Sequence, residues 1–337
     1  MIGLSYQAQP NITRLLLSED LSDRVISRIT DGSDLSNSQP LALSDASPKD
    51  KPWDKHRAFA DRVQTHYAGS DFNDYARRIN FCSQLLEFGF GMDADDALKL
   101  KLKSARFCRV RHCPVCQWRR SLAWKAKAYQ VLPKIVEQYP KHRWLFVTLT
   151  VHNPSVYELR DTLKVMNQAF QRMVQRKTWP AIGWLRSTEV TSGKDGNAHP
   201  HFHCLLMVPS SYFSHGYISK AEWIKTWRDC MRLDYSPVLD VQAVKSGDRP
   251  SSLVPELLKY CTKESDMVAD REWFLELTRQ LHKMRCIATG GVLKEYLKEL
   301  EQEPEDLIGE GDEQSVNEAS VYFEWKRQEK RYRMANP

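Results

Sequence analysis

The chain has 337 residues and a formal net charge of +6, which is long enough for one large domain or two modest ones with cores of their own. No stretch approaches the roughly 18 apolar residues that a membrane span needs, and residues 1–12 lack the pattern of a signal peptide. The eight cysteines are not arranged like the framework of a disulfide-rich secreted protein. We therefore expect a cytoplasmic protein without a membrane partner.

The chain begins with a polar stretch and continues with a helical pattern. Residues 1–52 are rich in Ser, Asp and Asn and have hardly any aromatic side chains, so we expect a flexible arm there. The spacing of apolar residues over 53–102 predicts helices. At the other end, an acidic linker over 302–318 and a short charged helix over 321–334 predict a helical C-terminal extension, 265–337.

The stretch from Lys101 to Arg143 is strongly basic, because it holds twelve Lys or Arg side chains and one acid, Glu137. Such a concentration is typical of surfaces that bind the phosphate backbone of nucleic acid, and a solvated charged helix face is the alternative. Trp118 and Trp124 lie among these cations, as at single-stranded DNA surfaces, and core packing explains them equally well. The candidate DNA-binding side chains are Arg109, Arg111, Arg119, Arg120, Lys125, Lys127, Lys259 and Lys263.

Three cysteines lie inside the basic stretch. Cys113 and Cys116 have the Cys-x2-Cys spacing of zinc knuckles, and Cys108 supplies a third thiolate. The candidates for a fourth ligand are Cys82, His112 and His142. A redox role is less favoured, because no thioredoxin-like strand precedes the pair. The pattern predicts a structural Zn²⁺ within a helical, basic, DNA-binding region over 53–142.

The central region, 143–264, alternates strands and helices. We predict strands at 144–151, 183–191, 199–209 and 238–244, and helices at 157–179, 220–232 and 251–264. The turn sequence Ser192-Gly-Lys-Asp-Gly-Asn197 joins two of these strands as an antiparallel hairpin. This order of elements predicts an α+β fold with a central antiparallel sheet and flanking helices.

Three histidines alternate along one predicted strand. His201 and His203 point to the same face with Cα atoms about 6.5 Å apart, a span that two imidazoles bridge to one metal ion. His199 shares this face but lies roughly 13 Å from His203, unless Pro200 bends the strand. Glu189, on the partner strand of the hairpin, could supply an oxygen ligand. The alternative is that these are ordinary half-buried strand histidines.

A second pattern is Glu256-Leu-Leu-Lys-Tyr260 in the last predicted helix. Side chains four apart lie on the same helical face, which places Glu256 one turn from Tyr260. A free tyrosine has a pKa of about 10, so it becomes a nucleophile only where a metal ion, Lys259 or Lys263 favours the phenolate. A carboxylate one turn away can act as a general base toward water.

Four segments together resemble one protein family. They are Cys113-Pro-Val-Cys-Gln-Trp-Arg-Arg-Ser121, Phe146-Val-Thr-Leu-Thr150, Glu189-Val-Thr191 with His199-Pro-His-Phe-His203, and Glu256-Leu-Leu-Lys-Tyr260. In this order they resemble the replication initiators of small bacterial rolling-circle plasmids, within the HUH endonuclease superfamily. The match covers about residues 106–264. It implies that 143–264 is an HUH nuclease core, built on an antiparallel, RRM-like palm.

The resemblance also implies a chemistry. His201 and His203 would hold Mg²⁺ or Mn²⁺, and Tyr260 would attack a phosphodiester at the origin, leaving a 5′-phosphotyrosyl link and a free 3′-OH. No other tyrosine falls in the motif, so the chain resembles the branch in which a glutamate, here Glu256, activates water for the closing cleavage. The implied partners are plasmid origin DNA, a host helicase and a DNA polymerase.

Other functions share some of these features. A conjugative relaxase or a single-strand transposase would have the same histidines and tyrosine, but the segment 113–121 and the internal position of the core argue against a relaxase. A non-catalytic nucleic-acid-binding module is the alternative from a different class. It predicts aromatic side chains on the open face of the sheet, where this chain has histidines.

Overall fold

The computed structural model describes residues 40–92, 98–244, 250–259, 261–301, 304, 307–308 and 320–335. The chain divides into two compact units. The first comprises the described parts of Met1–Asp61, Arg77–Cys108 and Ile308–Pro337, and the second those of Arg62–Ala76 and Arg109–Leu307.

Most helices of the described residues are short. Two helices have 16 residues each, and one has 25. They are α1 (Leu43–Ala46), α2 (Pro52–Tyr67), α3 (Asn73–Asn80), α4 (Pro114–Gln138), α5 (Leu159–Val174), α6 (Lys220–Met231), α7 (Val254–Leu257), α8 (Glu264–Met267), α9 (Arg271–Gln280) and α10 (Leu293–Leu297). Short 3-10 helices cover Pro48–Asp50, Val156–Glu158, Ser210–Phe213, Pro250–Leu253 and Lys298–Glu301. Within the described parts, none of these helices is both long and apolar enough to span a membrane.

The strands form two antiparallel sheets, one in each unit. They are β1 (Leu85–Met92), β2 (Leu98–Ala105), β3 (Arg143–Thr150), β4 (Gly183–Ser192), β5 (Ala198–Val208), β6 (Leu239–Ala243), β7 (Ile287–Gly291), β8 (Val321–Lys326) and β9 (Arg331–Ala335). The first unit has the order β2-β1-β8-β9 and the second the order β6-β3-β5-β4-β7. The predicted α+β class with antiparallel sheets and flanking helices is confirmed.

Two segments that were predicted as helices are strands in the first unit. The helical prediction for 53–102 holds only as far as Asn80, and the segment Leu98-Lys-Leu-Lys-Leu-Lys103 lies in β2. Its apolar and charged residues alternate with a period of two, which is the signature of a strand. The predicted helix over 321–334 is a hairpin of β8 and β9, in which Val321, Phe323 and Trp325 alternate inward.

Part of the predicted arm is structured. Leu43 in α1 is fully buried, and Ala42 forms a β-bridge with Arg333. These small apolar residues bury enough surface to hold the segment in place. The rest of the predicted arm, 1–39, and most of the predicted acidic linker, 302–318, lie outside the described residues.

The second unit contains the predicted central sheet. The four predicted strands of this region correspond to β3, β4, β5 and β6. A fifth strand, β7, was not predicted from the sequence and forms an edge strand beside β4. On one face of the sheet, Phe202 packs against Phe170 of α5 and Trp227 of α6. On the other face, Leu205 and Leu185 belong to a core cluster that includes residues of α4, α7 and α10.

A buried arginine lies on the first of these faces. The Arg186 guanidinium stacks over the rings of Phe170 and Phe202, at 4.7 and 4.0 Å from their centroids, and donates a hydrogen bond to Asn167 Oδ1. Burial lowers the pKa of Arg186 to about 10. These contacts hold α5 against β4 and β5, and they determine the side of the sheet on which Phe202 lies.

The last predicted helix, 251–264, is interrupted. A 3-10 helix and α7 extend only to Leu257, and the next helix, α8, begins at Glu264. Between them, the carbonyl of Cys261 accepts a hydrogen bond of 2.8 Å from the amide of Val190 in β4. The backbone therefore leaves the helix because a tertiary hydrogen bond to the sheet replaces a helical one.

Candidate active site

The β4–β5 hairpin brings the predicted acidic and histidine residues together. Its register places Glu189 opposite His201, and Ser187 opposite His203. The connecting turn is closed by a hydrogen bond of 2.8 Å from Gly193 N to Asn197 O, and Gly196 takes a φ of +77° that suits glycine. The turn thus sets the pairing that puts a carboxylate beside two imidazoles.

The three side chains meet at one carboxylate oxygen. Glu189 Oε2 lies 2.9 Å from His201 Nε2 and 3.0 Å from His203 Nε2. The three potential ligand atoms lie within 4.8 Å of one another, and Glu189 is only 3% exposed. Two imidazole nitrogens and one carboxylate oxygen are a donor set that divalent metal ions accept, so this group could hold a metal ion.

The charge of Glu189 suits a cation site. Burial opposes its ionisation, but hydrogen bonds from His201, His203 and Lys259 outweigh burial and hold the pKa of this carboxyl well below its usual value. The carboxylate is therefore an anion in the folded protein, in surroundings where an anion needs a nearby positive charge.

The opposite ring nitrogens of both histidines are also engaged. His201 Nδ1 donates to the carbonyl of His199 at 3.3 Å, and His203 Nδ1 lies 3.3 Å from Thr148 Oγ1. When a divalent ion occupies the group, a proton on Nδ1 would leave the Nε2 lone pair of each neutral imidazole for the ion. Such outer contacts orient histidine rings at metal sites.

His199 is not part of this group. It lies opposite Thr191, closer to the turn, and its ring centroid is 5.2 Å from that of His201. Burial is the main cause that lowers the pKa of His199. The candidate metal group on this sheet comprises Glu189, His201 and His203, and His199 contributes its backbone carbonyl.

Glu256 and Lys259 lie at the edge of the group. Glu256 Oε1 is 3.7 Å from His203 Nε2, and its side chain is 50% exposed. Lys259 Nζ is 2.9 Å from Glu189 Oε2 and 2.5 Å from Glu256 Oε1. The structure thus brings Glu256, from a distant part of the sequence, to the same place as the β4–β5 group.

The predicted nucleophile, Tyr260, lies outside the described residues. Its neighbours in sequence are described. Lys259 contacts Glu189, and the Cys261 carbonyl accepts the hydrogen bond from Val190, the residue after Glu189.

Comparisons with known proteins give the family. The family model of the Rep_1 replication proteins matches residues 99–333. The chain belongs to this replication protein family. It is similar to "Protein rep" of Lentilactobacillus hilgardii, with 36% identity over 77% of this chain and 85% of the relative. It is also similar to "Protein rep" of Lactiplantibacillus plantarum, with 36% identity over 80% of this chain and 89% of the relative. No solved structure matches the chain.

These findings confirm the resemblance seen in the sequence. A "Protein rep" of Bacillus amyloliquefaciens is 32% identical over 81% of this chain and 91% of the relative. The Rep_1 match includes the cysteine segment, the β4–β5 hairpin and the segment around Glu256. The chain is thus a replication initiator of the plasmid Rep family, and origin DNA is its expected partner.

Several arginines predicted to contact DNA in this Rep_1 protein have internal partners. Arg120 is only 5% exposed and donates to the carbonyls of Val110 and Arg111. A guanidinium buried in this way holds a loop and is not accessible to a phosphate backbone. The sequence could not show this, because an inward and an outward arginine look alike in a helical pattern.

The other predicted DNA-binding residues differ in their surroundings. Arg111 donates to the Met284 carbonyl and to Cys286 Sγ, whereas Arg119 donates to the Leu307 carbonyl and Arg109 to that of Pro304. Burial lowers the pKa of Lys125, Lys127 is partly buried, and Lys263 is exposed. Trp124 packs against the core cluster of the second unit.

A pair of cysteines lies beside the site, and no motif in the sequence indicates that they pair. Cys261 and Cys286 form a disulfide, with Cα atoms 6.5 Å apart. The Cys286 carbonyl accepts a hydrogen bond of 2.7 Å from Thr188 N, so both cysteines flank the segment of β4 that carries Glu189. They are 25 residues apart, and only the tertiary fold brings them together.

The cysteines predicted to bind zinc are buried. In the first unit, the amide of Cys108 donates to Cys82 Sγ at 3.5 Å. In the second unit, Cys113 and Cys116 are fully buried at the start of α4. The pair Cys113 and Cys116 could bind a metal ion such as zinc.

We predict that the purified protein carries about one zinc ion per chain, because Cys108, Cys113 and Cys116 have the spacing of structural zinc ligands. Elemental analysis after purification without added metal measures it. Cys113→Ser should lose the zinc, whereas Cys230→Ser, which changes a buried cysteine outside the group, should keep it. A zinc-free wild-type protein with reactive thiols at these positions would contradict the prediction.

Proposed function

We propose that this Rep_1 family member initiates rolling-circle replication by nicking one strand of a plasmid origin with Tyr260. The observation that carries the proposal is the meeting of Glu189, His201 and His203 with Glu256 at one place on the sheet. A metal-dependent nickase needs these parts: ligands for a divalent ion and a carboxylate near it. The motif that contains Glu256 ends at Tyr260.

Glu189, His201 and His203 would hold Mg²⁺ or Mn²⁺, which supplies a Lewis acid for the scissile phosphate. The residues fit such an ion, because the Glu189 carboxylate is ionised and the Nε2 atoms of both imidazoles face this carboxylate. Thr148 and the His199 carbonyl hold the two rings in this orientation.

In the first step, the phenolate oxygen of Tyr260 forms a bond to phosphorus, and the bond from phosphorus to the 3′ oxygen breaks. The phenolic proton passes to solvent before the attack, and the leaving oxygen takes up a proton from solvent to become the free 3′-OH that a polymerase can extend. The DNA stays attached through its 5′ phosphate. The contacts of Lys259 and Cys261 with β4 support this assignment, because both neighbours of Tyr260 lie beside Glu189.

In the closing step, Glu256 accepts a proton from water as the water oxygen forms a bond to phosphorus at the regenerated scissile phosphate. The bond from phosphorus to the 3′ oxygen breaks, and that oxygen takes up a proton and leaves as a 3′-OH. The Glu256 side chain is half exposed and its Oε1 is 3.7 Å from His203 Nε2. It therefore lies where solvent meets the ligands of the ion, as a general base for water requires.

Two alternative functions are less well supported. A relaxase or single-strand transposase would share the histidine group, but the family match extends over the cysteine segment and the region beyond α8. A non-catalytic binding module would have no use for a buried carboxylate that bonds two imidazoles, because such a group is costly to bury. A host helicase and a DNA polymerase in the bacterial cytoplasm are the further partners of the proposed function.

Tyr260→Phe should abolish nicking and the covalent protein–DNA adduct, because the variant keeps the ring and loses the nucleophilic oxygen. The assay uses supercoiled plasmid that carries the cognate origin, with Mg²⁺ or Mn²⁺, and detects the open circle and the attached protein. Tyr235→Phe and Tyr296→Phe remove the same hydroxyl elsewhere and should nick normally. An adduct formed by Tyr260→Phe would show that another residue is the nucleophile and refute the proposal.

Glu256→Ala should separate the two steps. The first nick should proceed, whereas closing hydrolysis should slow by about 100-fold or more, because a general base contributes that much. The expected product in a replication assay is DNA longer than one plasmid unit. Glu256→Gln keeps the size of the side chain and should behave in the same way. If either variant loses the first nick as fully as Tyr260→Phe, Glu256 serves the tyrosine or the ion instead.

A further inference from the structure

Lys259 contacts the metal group in a way that the proposed reaction does not use. Its Nζ lies 2.9 Å from Glu189 Oε2, the same oxygen that faces His201 Nε2 and His203 Nε2. The Lys259 side chain is 28% exposed. Burial alone would lower the pKa of Lys259, but its hydrogen bonds to Glu256 and Glu189 raise it. The ammonium is therefore charged.

We propose that the Lys259 ammonium is a tethered counter-ion of Glu189, which a divalent ion must displace when it enters the Glu189–His201–His203 group. The inference rests on the proposed function, since it takes this group as the ion's site. It assigns Lys259 a part in metal binding, in addition to the contact with DNA that the basic pattern suggested.

The two cations compete for one oxygen. A protonated lysine has three donors and no lone pair, so it cannot become a ligand of the ion. If it stayed at 2.9 Å from Oε2, a single and a double positive charge would be a few Å apart in a mostly buried place, where water screens them poorly. The hydrogen bond from Lys259 to Glu189 must therefore break when the ion binds.

The structure provides a place for the displaced ammonium. Lys259 Nζ already bonds Glu256 Oε1 at 2.5 Å, and the side chain of Glu256 is half exposed. The flexible stem of lysine lets the charge swing outward while it keeps this second partner. A DNA phosphate is the other acceptor that an outward ammonium would meet.

This competition links the ion to DNA. If a phosphate binds the displaced Lys259, DNA lowers the cost of loading the ion, and by reciprocity the ion strengthens the binding of DNA. Removing the charge of Lys259 should therefore tighten metal binding in the absence of DNA and weaken the coupling between the two ligands.

The test compares the affinity for Mn²⁺ without DNA, measured by the loss of the free Mn²⁺ signal in electron paramagnetic resonance. Lys259→Met, which keeps the length and removes the charge, should bind Mn²⁺ about tenfold more tightly than the wild type, within the usual range of such couplings. Lys259→Gln should shift in the same direction. Lys294→Met is the matched control, since Lys294 is exposed on α10 and has no part in the proposed site, and its affinity should stay near that of the wild type. The double variant His201→Ala/His203→Ala lacks both imidazoles of the group, so it measures the background of Mn²⁺ that binds elsewhere on the protein.

Several results would overturn the inference. Binding by Lys259→Met and Lys259→Gln that is equal to or weaker than that of the wild type would mean that Lys259 merely orients the carboxylate. A general loss of folding would also weaken binding, so only tighter binding supports displacement. An equal gain in Lys294→Met would show that the effect comes from net charge alone. Mn²⁺ binding by the wild type that does not exceed the background would show that the group holds no ion.

The same measurements separate this inference from the proposed function. Tighter Mn²⁺ binding by Lys259→Met would support the displacement of Lys259 by the ion. If Tyr260→Phe still formed an adduct in the same experiments, the proposed nicking mechanism would be refuted while this inference stood. Adduct formation that depends on Tyr260, with unchanged Mn²⁺ affinity in Lys259→Met, would support the nicking mechanism and refute the displacement of Lys259.

Discussion

The burial of Phe202 determines which way the β5 strand faces. Its ring packs against Phe170 and Trp227, and the Arg186 guanidinium lies 4.0 Å from its centroid. Because side chains alternate along a strand, His201 and His203 on either side must then face the opposite surface. A slip of one residue would turn both histidines toward α5 and α6 and turn Phe202 toward the side of the sheet that carries Glu189. The packing of one aromatic ring thereby fixes the side on which the proposed chemistry occurs.

The electrostatics of the site follow from this geometry. The hairpin register places Glu189 opposite His201, where it is almost fully buried. An ionised carboxylate in such a place is costly unless positive charge or donors surround it. Lys259 and the two imidazoles meet that need in the structure, and we propose that a divalent ion replaces the lysine when it binds. The ion, the lysine and the DNA phosphate are then alternative partners in one small network of charges, which connects metal loading to substrate binding.

The sequence predicted the parts of the fold in which local pattern and tertiary structure agree. Strands β3 to β6, the hairpin turn and the grouping of His201 with His203 and Glu189 follow from period-two alternation and turn residues. The prediction failed where helical and strand patterns compete, as in the Leu-Lys alternation of β2, and where a tertiary hydrogen bond to Val190 interrupts a helical segment. The inward direction of Arg120 and the contact of Lys259 with Glu189 depend on elements far apart in the chain, so no local pattern contains them.

The most direct test of the account is the identity of the ligands of the bound ion. Pulsed electron paramagnetic resonance on the Mn²⁺-loaded protein detects the nuclei of coordinated imidazole nitrogens. We expect couplings from two histidines, which fall to one in His201→Ala or His203→Ala and disappear in the double variant. His199→Ala, a change in the neighbouring histidine outside the metal group, should keep both couplings. Imidazole coupling that persists in the double variant, or that is lost in His199→Ala, would contradict the claim that Glu189, His201 and His203 form the metal site.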